Sequence, residues 1–148
     1  MSNNYYDLGN YSRAITTQSA QAQQWFDRGL MWCYGYNHEE SVRCFQQAIA
    51  HDDNCAMAYW GVAYAAGCNY NKKWEAFGEQ ELIEAVAMTR QATEAALARL
   101  DDTTAAEQAL IRALEKRYQS AQVVSNAEFC AWNDDYAAAM RGVYTAFP

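Results

Sequence analysis

The chain has 148 residues, of which 51% are hydrophobic and 20% are charged, so it is long enough for one domain with a buried core and is not a disordered chain. Its net charge is −7 and its basic residues are scattered, which argues against nucleic acid and anionic membrane surfaces as partners. The single proline is Pro148, and a chain with so few helix breakers is expected to be all-α.

The N-terminal sequence lacks the apolar run of a signal peptide, and no window approaches the roughly 18 apolar residues that a membrane span requires. We therefore expect a cytoplasmic protein that does not bind a membrane. The five cysteines are odd in number and include no Cys-x-x-Cys pair. We expect reduced thiols that serve packing, with no metal and no cofactor.

The first two helices are marked by their starting residues. Residues 1–17 are polar and are expected to form an extended tail along these helices. Ser19 is a suitable cap for a first helix that ends near Tyr34. Asn37 precedes Glu40 by three residues, which is the spacing of a capping box, and predicts the start of a second helix.

Four further helices follow. A third is expected over about 55–68 and, after a longer link, an amphipathic fourth over about 79–100. Thr104 and Ser125 each precede a glutamate by three residues, so we expect them to cap the fifth and sixth helices. Six helices in this order predict three antiparallel pairs.

The first and third helices are related by a 34-residue period. Trp25 recurs as Tyr59, and Gly29 recurs as Ala63, where a small residue lets the second helix of a pair pack closely. A period of about 34 residues is that of the tetratricopeptide repeat, a helix–turn–helix unit. We therefore predict an all-α, right-handed solenoid of helical hairpins over residues 18–148. Its most regular repeat is 22–55, followed by a partial repeat over 56–100 and a divergent one over 103–148.

The first helix of each hairpin lines the concave face of such a solenoid. Apolar and aromatic side chains on that side of the first and third helices predict a ligand groove formed by Phe26, Leu30, Tyr34, Trp60 and Tyr64. An aromatic trough suits a peptide-like segment or a flat small molecule, and Trp60 and Tyr64 would be its main anchors. The alternative is that the N-terminal tail or the fourth helix fills the groove.

The sixth helix carries more apolar surface than one neighbouring hairpin can cover. Exposed patches of this kind usually bind a partner, so we expect a homodimer through this helix. The residues assigned to the interface are Tyr136, Met140, Val143, Tyr144 and Phe147.

No residue pattern indicates catalysis. The acidic sequence 37–40 suits a helix start, and 51–53 suits a helix end. The chain has no nucleophile elbow, no glycine-rich phosphate loop and no HExxH motif. We therefore expect a non-enzymatic module that binds a protein or peptide partner, with small-molecule binding as the alternative.

Most of the chain resembles one bacterial branch of tetratricopeptide-repeat proteins. The segments that carry the resemblance are 15–17, 22–30, 36–40, 55–61, 105–118 and 136–148. Asp53 and Cys68 stand where that branch has proline, and both positions fall in turns. Members of the branch are much longer, so the resemblance implies the N-terminal part of a longer protein with a role in protein–protein interaction. It does not imply chaperone binding, because Phe26, Leu30 and Gly61 occupy groove positions where a carboxylate clamp has lysine and asparagine.

Overall fold

The computed structural model describes residues 5–148, which form six α-helices and no β-strand. In chain order the helices are α1 (Ala20–Tyr34), α2 (His38–His51), α3 (Ala56–Ala66), α4 (Glu79–Leu97), α5 (Ala105–Arg117) and α6 (Asn126–Ala146). A short 3₁₀ turn, Trp74–Ala76, lies between α3 and α4. The prediction of an all-α chain of six helices is confirmed. Within the described part, none of these helices combines the length and the apolar character needed to cross a membrane.

The helices begin where the sequence predicts. The four predicted caps each accept a hydrogen bond from the backbone N–H three residues further on, and they are Ser19, Asn37, Thr104 and Ser125. At Thr104 the capping box is complete, because the Glu107 carboxylate accepts the Thr104 N–H at 2.8 Å. Each cap satisfies one of the N–H groups that a helix start leaves without a partner, which is worth about 1 kcal/mol.

Helices that follow one another in the chain also pack against one another, from α1 on α2 through to α5 on α6. In addition, α1 contacts α3 and α3 contacts α5. The first helices of the three pairs are therefore neighbours. Eight of the eleven residues of α3 are buried, as expected of a helix that is apolar on all sides.

Phe45 of α2 holds the first three helices together. Its ring is fully buried and lies between α1 and α3. A Cβ atom on Gly29 would lie 2.6 Å from Phe45 Cε1, and one on Gly61 would also come within 3.0 Å of the ring. The predicted role of Gly29 in close packing is confirmed. Gly61 has the same role on α3, which the 34-residue period did not indicate.

The link between α3 and α4 belongs to the core. Trp74 is buried in the 3₁₀ turn and stacks on Phe129 of α6, with ring centroids 5.0 Å apart. Tyr118, which ends α5, is fully buried, and its ring occupies the space that a Cβ atom on Gly67 would need. These contacts hold the third pair of helices against α3.

The described part of the N-terminal tail lies along the helices, as predicted, while residues 1–4 fall outside the described residues. The Tyr5 hydroxyl donates to the Glu40 carboxylate at 2.8 Å and accepts from Trp32 Nε1 at 2.7 Å. At the other end of the tail, the Thr16 N–H and hydroxyl donate to the Glu107 carboxylate at 2.7 and 2.6 Å. The tail thus connects α2 with the start of α5.

Candidate functional site

A surface cavity of about 250 Å³ lies where α1, α3 and α5 end. Its walls come from the last turns of these helices, from the loops that follow them and from the first residue of α2. They are formed by Cys33, Tyr34, Tyr36, His38, Tyr64, Cys68, Asn69, Tyr70 and Arg117. Typical ligand pockets measure roughly 300–1,000 Å³, so this cavity suits one side chain or end group better than a whole metabolite.

Arg117 supplies the positive charge of the cavity. Its Nη2 donates to the Cys68 carbonyl oxygen at 2.6 Å, just beyond the end of α3. The guanidinium carbon lies 5.6, 5.4 and 5.0 Å from the ring centroids of Tyr64, Tyr118 and Tyr136. Cation–π attraction to three rings and one charge-assisted hydrogen bond hold the group in place.

The charge of Arg117 has no counter-charge within residues 5–148. The four ion pairs of this part of the chain involve other cations. Arg117 Nε is buried and finds no hydrogen-bond partner there. Because a buried donor without an acceptor is unfavourable, and because the cation forms no ion pair, Arg117 has capacity for an anionic partner.

Two thiols and two phenols of the cavity are kept neutral by burial. Burial raises the pKa of the Cys33 and Cys68 thiols, although the nearby Arg117 opposes the shift in both. Burial also raises the pKa of the Tyr34 and Tyr64 hydroxyls. At neutral pH these groups are therefore protonated, and neither thiol has the thiolate character that nucleophilic chemistry requires.

The five residues predicted to line one groove lie partly on the cavity wall and partly in the core. Tyr34, which is 55% exposed, and Tyr64 line the cavity. Trp60 is 8% exposed and stacks beneath Tyr64, with centroids 4.9 Å apart and planes 10° apart, so it supports the wall. The assignment of Phe26, Leu30 and Trp60 to an open groove is corrected, because all three side chains are buried in the core.

Among the described residues, the walls of the cavity include none from the tail and none from α4. The tail does contact one wall residue, because the ring of Tyr11 lies against that of Tyr34 with centroids 6.2 Å apart. Tyr34 therefore has one side against the tail and one side facing the cavity.

Arg117 was not identified from the sequence. It lies in the divergent third hairpin, where the 34-residue period gives no equivalent position. A basic residue in the last turn of a helix indicates an interaction with nearby carbonyl groups, which is the contact that Arg117 makes with Cys68. Nothing in that signal predicts a cavity, since the cavity depends on how α1, α3 and α5 end beside one another.

The five residues predicted for self-association lie on the exposed half of α6. Tyr144 is 74% and Phe147 40% exposed, while Met140 and Val143 are half-buried. Tyr136 is also half-buried, because its ring packs against the Arg117 guanidinium. Four of the five residues thus form a surface patch, and Tyr136 borders it.

Within residues 5–148, no three histidine, cysteine, aspartate or glutamate side chains are grouped as a metal site would require. No family model, curated protein or solved structure matches the chain. The interpretation of the cavity therefore depends on its own geometry, in which three helix ends, four tyrosines and one guanidinium without an ion pair meet.

Proposed function

We propose that this chain is a non-enzymatic binding module of the tetratricopeptide-repeat type, a right-handed solenoid of the pairs α1–α2, α3–α4 and α5–α6. The 34-residue period supports this arrangement. So do the contacts of α3 with both α1 and α5, because the first helices of successive repeats are neighbours in such a solenoid.

The ligand in this proposal is a peptide-like segment of a partner protein, bound in the cytoplasm. The observation that carries the proposal is that the last turns of α1, α3 and α5 line one cavity. Tyr34 and Tyr64 offer rings with a polar tip, which is the kind of side chain that commonly anchors peptides. A cavity of about 250 Å³ accepts one anchoring group of the segment, while the rest lies along the surface.

Small-molecule binding is the alternative, and the size of the cavity argues against it. The proposal assigns no catalytic role, because burial raises the pKa of the Cys33 and Cys68 thiols and of the Tyr34 and Tyr64 hydroxyls and leaves them neutral at physiological pH.

The test is an array of short peptides probed with purified native protein and with two variants. Tyr34→Ala removes an exposed cavity wall and should weaken binding by roughly tenfold or more, since an anchoring aromatic contributes at least 1–2 kcal/mol. Ile83→Ala removes a side chain of α4 that is 47% exposed and remote from the cavity lining, and should leave binding unchanged.

The outcome decides between the two functions. Peptides that bind the native protein and the Ile83→Ala variant, but not Tyr34→Ala, support the proposal. An array without any bound peptide, together with a stoichiometric metabolite that co-purifies with native protein and is lost from Tyr34→Ala, would establish the small-molecule alternative.

A further inference from the structure

We infer that Arg117 binds a carboxylate of the ligand, so that the recognised segment carries either an acidic side chain or a free C-terminus in the cavity. This inference rests on the proposed peptide-binding function and specifies the chemistry of the group that enters. The starting observation is the half-buried Arg117, whose Nε is buried without an acceptor and whose guanidinium forms no ion pair among residues 5–148.

The contacts of Arg117 account for only part of its donor capacity. A guanidinium has five N–H donors, and the structure gives Nη2 the Cys68 carbonyl oxygen while Nε has no acceptor. The side chain also lines the cavity. A carboxylate is the group that pairs with guanidinium in a two-pronged geometry, and it would supply the missing negative charge.

The surroundings of Arg117 prepare it for this role. Packing against the rings of Tyr64, Tyr118 and Tyr136 restricts the guanidinium before a ligand arrives. A pre-ordered arginine loses less conformational entropy on binding than a flexible lysine would. The hydroxyls of Tyr34 and Tyr64 are protonated at neutral pH and are further donors on the cavity wall.

The same geometry favours a singly charged group over a phosphate. Three helices end at this cavity and α2 begins there with His38, so three partial negative charges of about half an elementary charge face one partial positive charge of the same size. The whole chain also has a net charge of −7. A carboxylate adds one negative charge beside the guanidinium, whereas a doubly charged phosphate adds two and is repelled more strongly by the helix ends.

The test uses two small probes that differ only in the carboxylate. N-acetylphenylalanine and N-acetylphenylalaninamide are titrated into the protein, and the Arg117 Nε–H signal and the tyrosine ring signals are followed by nuclear magnetic resonance. We expect the acid to shift the Arg117 signal and to bind roughly tenfold or more tighter than the amide, because the amide leaves the charge unpaired. Inorganic phosphate at the same concentration should shift the Arg117 signal less than the acid does.

Two variants separate a binding role of Arg117 from a structural one. Arg117→Gln should remove the preference for the acid over the amide, and Arg117→Lys should reduce it, since lysine keeps the charge but not the two-pronged geometry. If either loses its helical circular dichroism, Tyr34→Ala provides the comparison, because it removes a wall and a hydroxyl donor while leaving Arg117 in place, and should weaken both probes while the acid still binds more tightly than the amide.

The titrations and the peptide array test the carboxylate inference and the binding function separately. Equal binding of the acid and the amide at the cavity, or tighter binding of phosphate, would overturn the carboxylate inference and leave the binding function intact. The proposed function itself fails only if the peptide array gives no peptide whose binding depends on Tyr34. In that case, tighter binding of the acid than of the amide would describe a cavity that has no peptide ligand.

Discussion

At the scale of single residues, Glu107 joins the tail to the rest of the molecule. Its carboxylate is 6% exposed and accepts three hydrogen bonds, two from Thr16 and one from the Thr104 N–H. Burial alone would raise the pKa of Glu107, but the hydrogen bonds outweigh it and lower the pKa below its ordinary value of 4.5. The ionised carboxylate is therefore the form that the folded state prefers.

This preference makes stability depend on pH. Because the pKa of Glu107 is lower in the folded state, its contribution is fully present above the unfolded value of 4.5 and is lost as the pH falls through the folded value. Glu107→Gln should lower the free energy of unfolding at pH 7 by about 1–3 kcal/mol, since charge-assisted hydrogen bonds are lost. It should also flatten the decrease in stability on acidification. Urea unfolding between neutral pH and pH 3 measures both effects.

Glu128→Gln is the matched control, because Glu128 occupies the corresponding position in the first turn of α6 but is exposed. We expect this substitution to change the free energy of unfolding by less than about 0.5 kcal/mol. Equal losses in the two variants would show that the contacts with Thr16 do not stabilise the fold.

For a single residue, the sequence predicts interactions with near neighbours in the chain but not interactions with distant residues. The capping box of Thr104 and Glu107 was predicted, because both partners lie within one helical turn. The bond of Glu107 with Thr16, 91 positions away, was not, because no spacing rule connects a tail residue to a helix start. The contacts of Arg117 were not predicted for the same reason, because they bring together residues of or beside α3, α5 and α6.

At the scale of helices, the packing of α1, α2 and α3 depends on two glycines that accommodate Phe45. A methyl group at Gly61 would come within 3.0 Å of the Phe45 ring, whose buried position leaves it little space to move. Gly61→Ala should therefore lower the free energy of unfolding by about 1–3 kcal/mol, the usual cost of overpacking. Thermal and urea unfolding monitored by circular dichroism measure this change.

Gly142→Ala is the control for the intrinsic effect of alanine. Gly142 lies inside α6, and a Cβ atom there would meet nothing within 4 Å. Alanine at this position should stabilise the helix by about 0.5–1 kcal/mol. If Gly61→Ala were as stable as Gly142→Ala, Phe45 would not be confined between the two helices.

Helix positions were predictable from the sequence, whereas the neighbours of each helix face were not. Caps and apolar spacing are properties of a few consecutive residues, and they located all six helices. The same spacing placed Phe26 and Leu30 on one side of the first helix but could not show that α2 and α3 bury that side. No role was predicted for Trp74, because a 3₁₀ turn of three residues is too short to show a period.

At the scale of the whole molecule, α6 is covered over only part of its length. Phe129 and Trp132 in its first half are buried, whereas no residue after Trp132 is. Intervals of three or four residues connect Tyr136, Met140, Tyr144 and Phe147, with Val143 beside Tyr144, so these side chains share one side of α6 and its C-terminal end. The result is an apolar stripe that the other described residues leave partly open.

We propose that this stripe is the interface of a homodimer. Tyr144→Glu and Met140→Glu place a charge where the dimer would exclude water, and burying an unpaired charge is costly enough to dissociate it. Light scattering at a fixed protein concentration should show the native mass halved in both variants. Ile83→Glu, at a residue of α4 that is 47% exposed, should leave the mass unchanged. A monomeric native protein at high concentration would exclude the dimer, and a dimer that survives both α6 substitutions would place the interface on another surface.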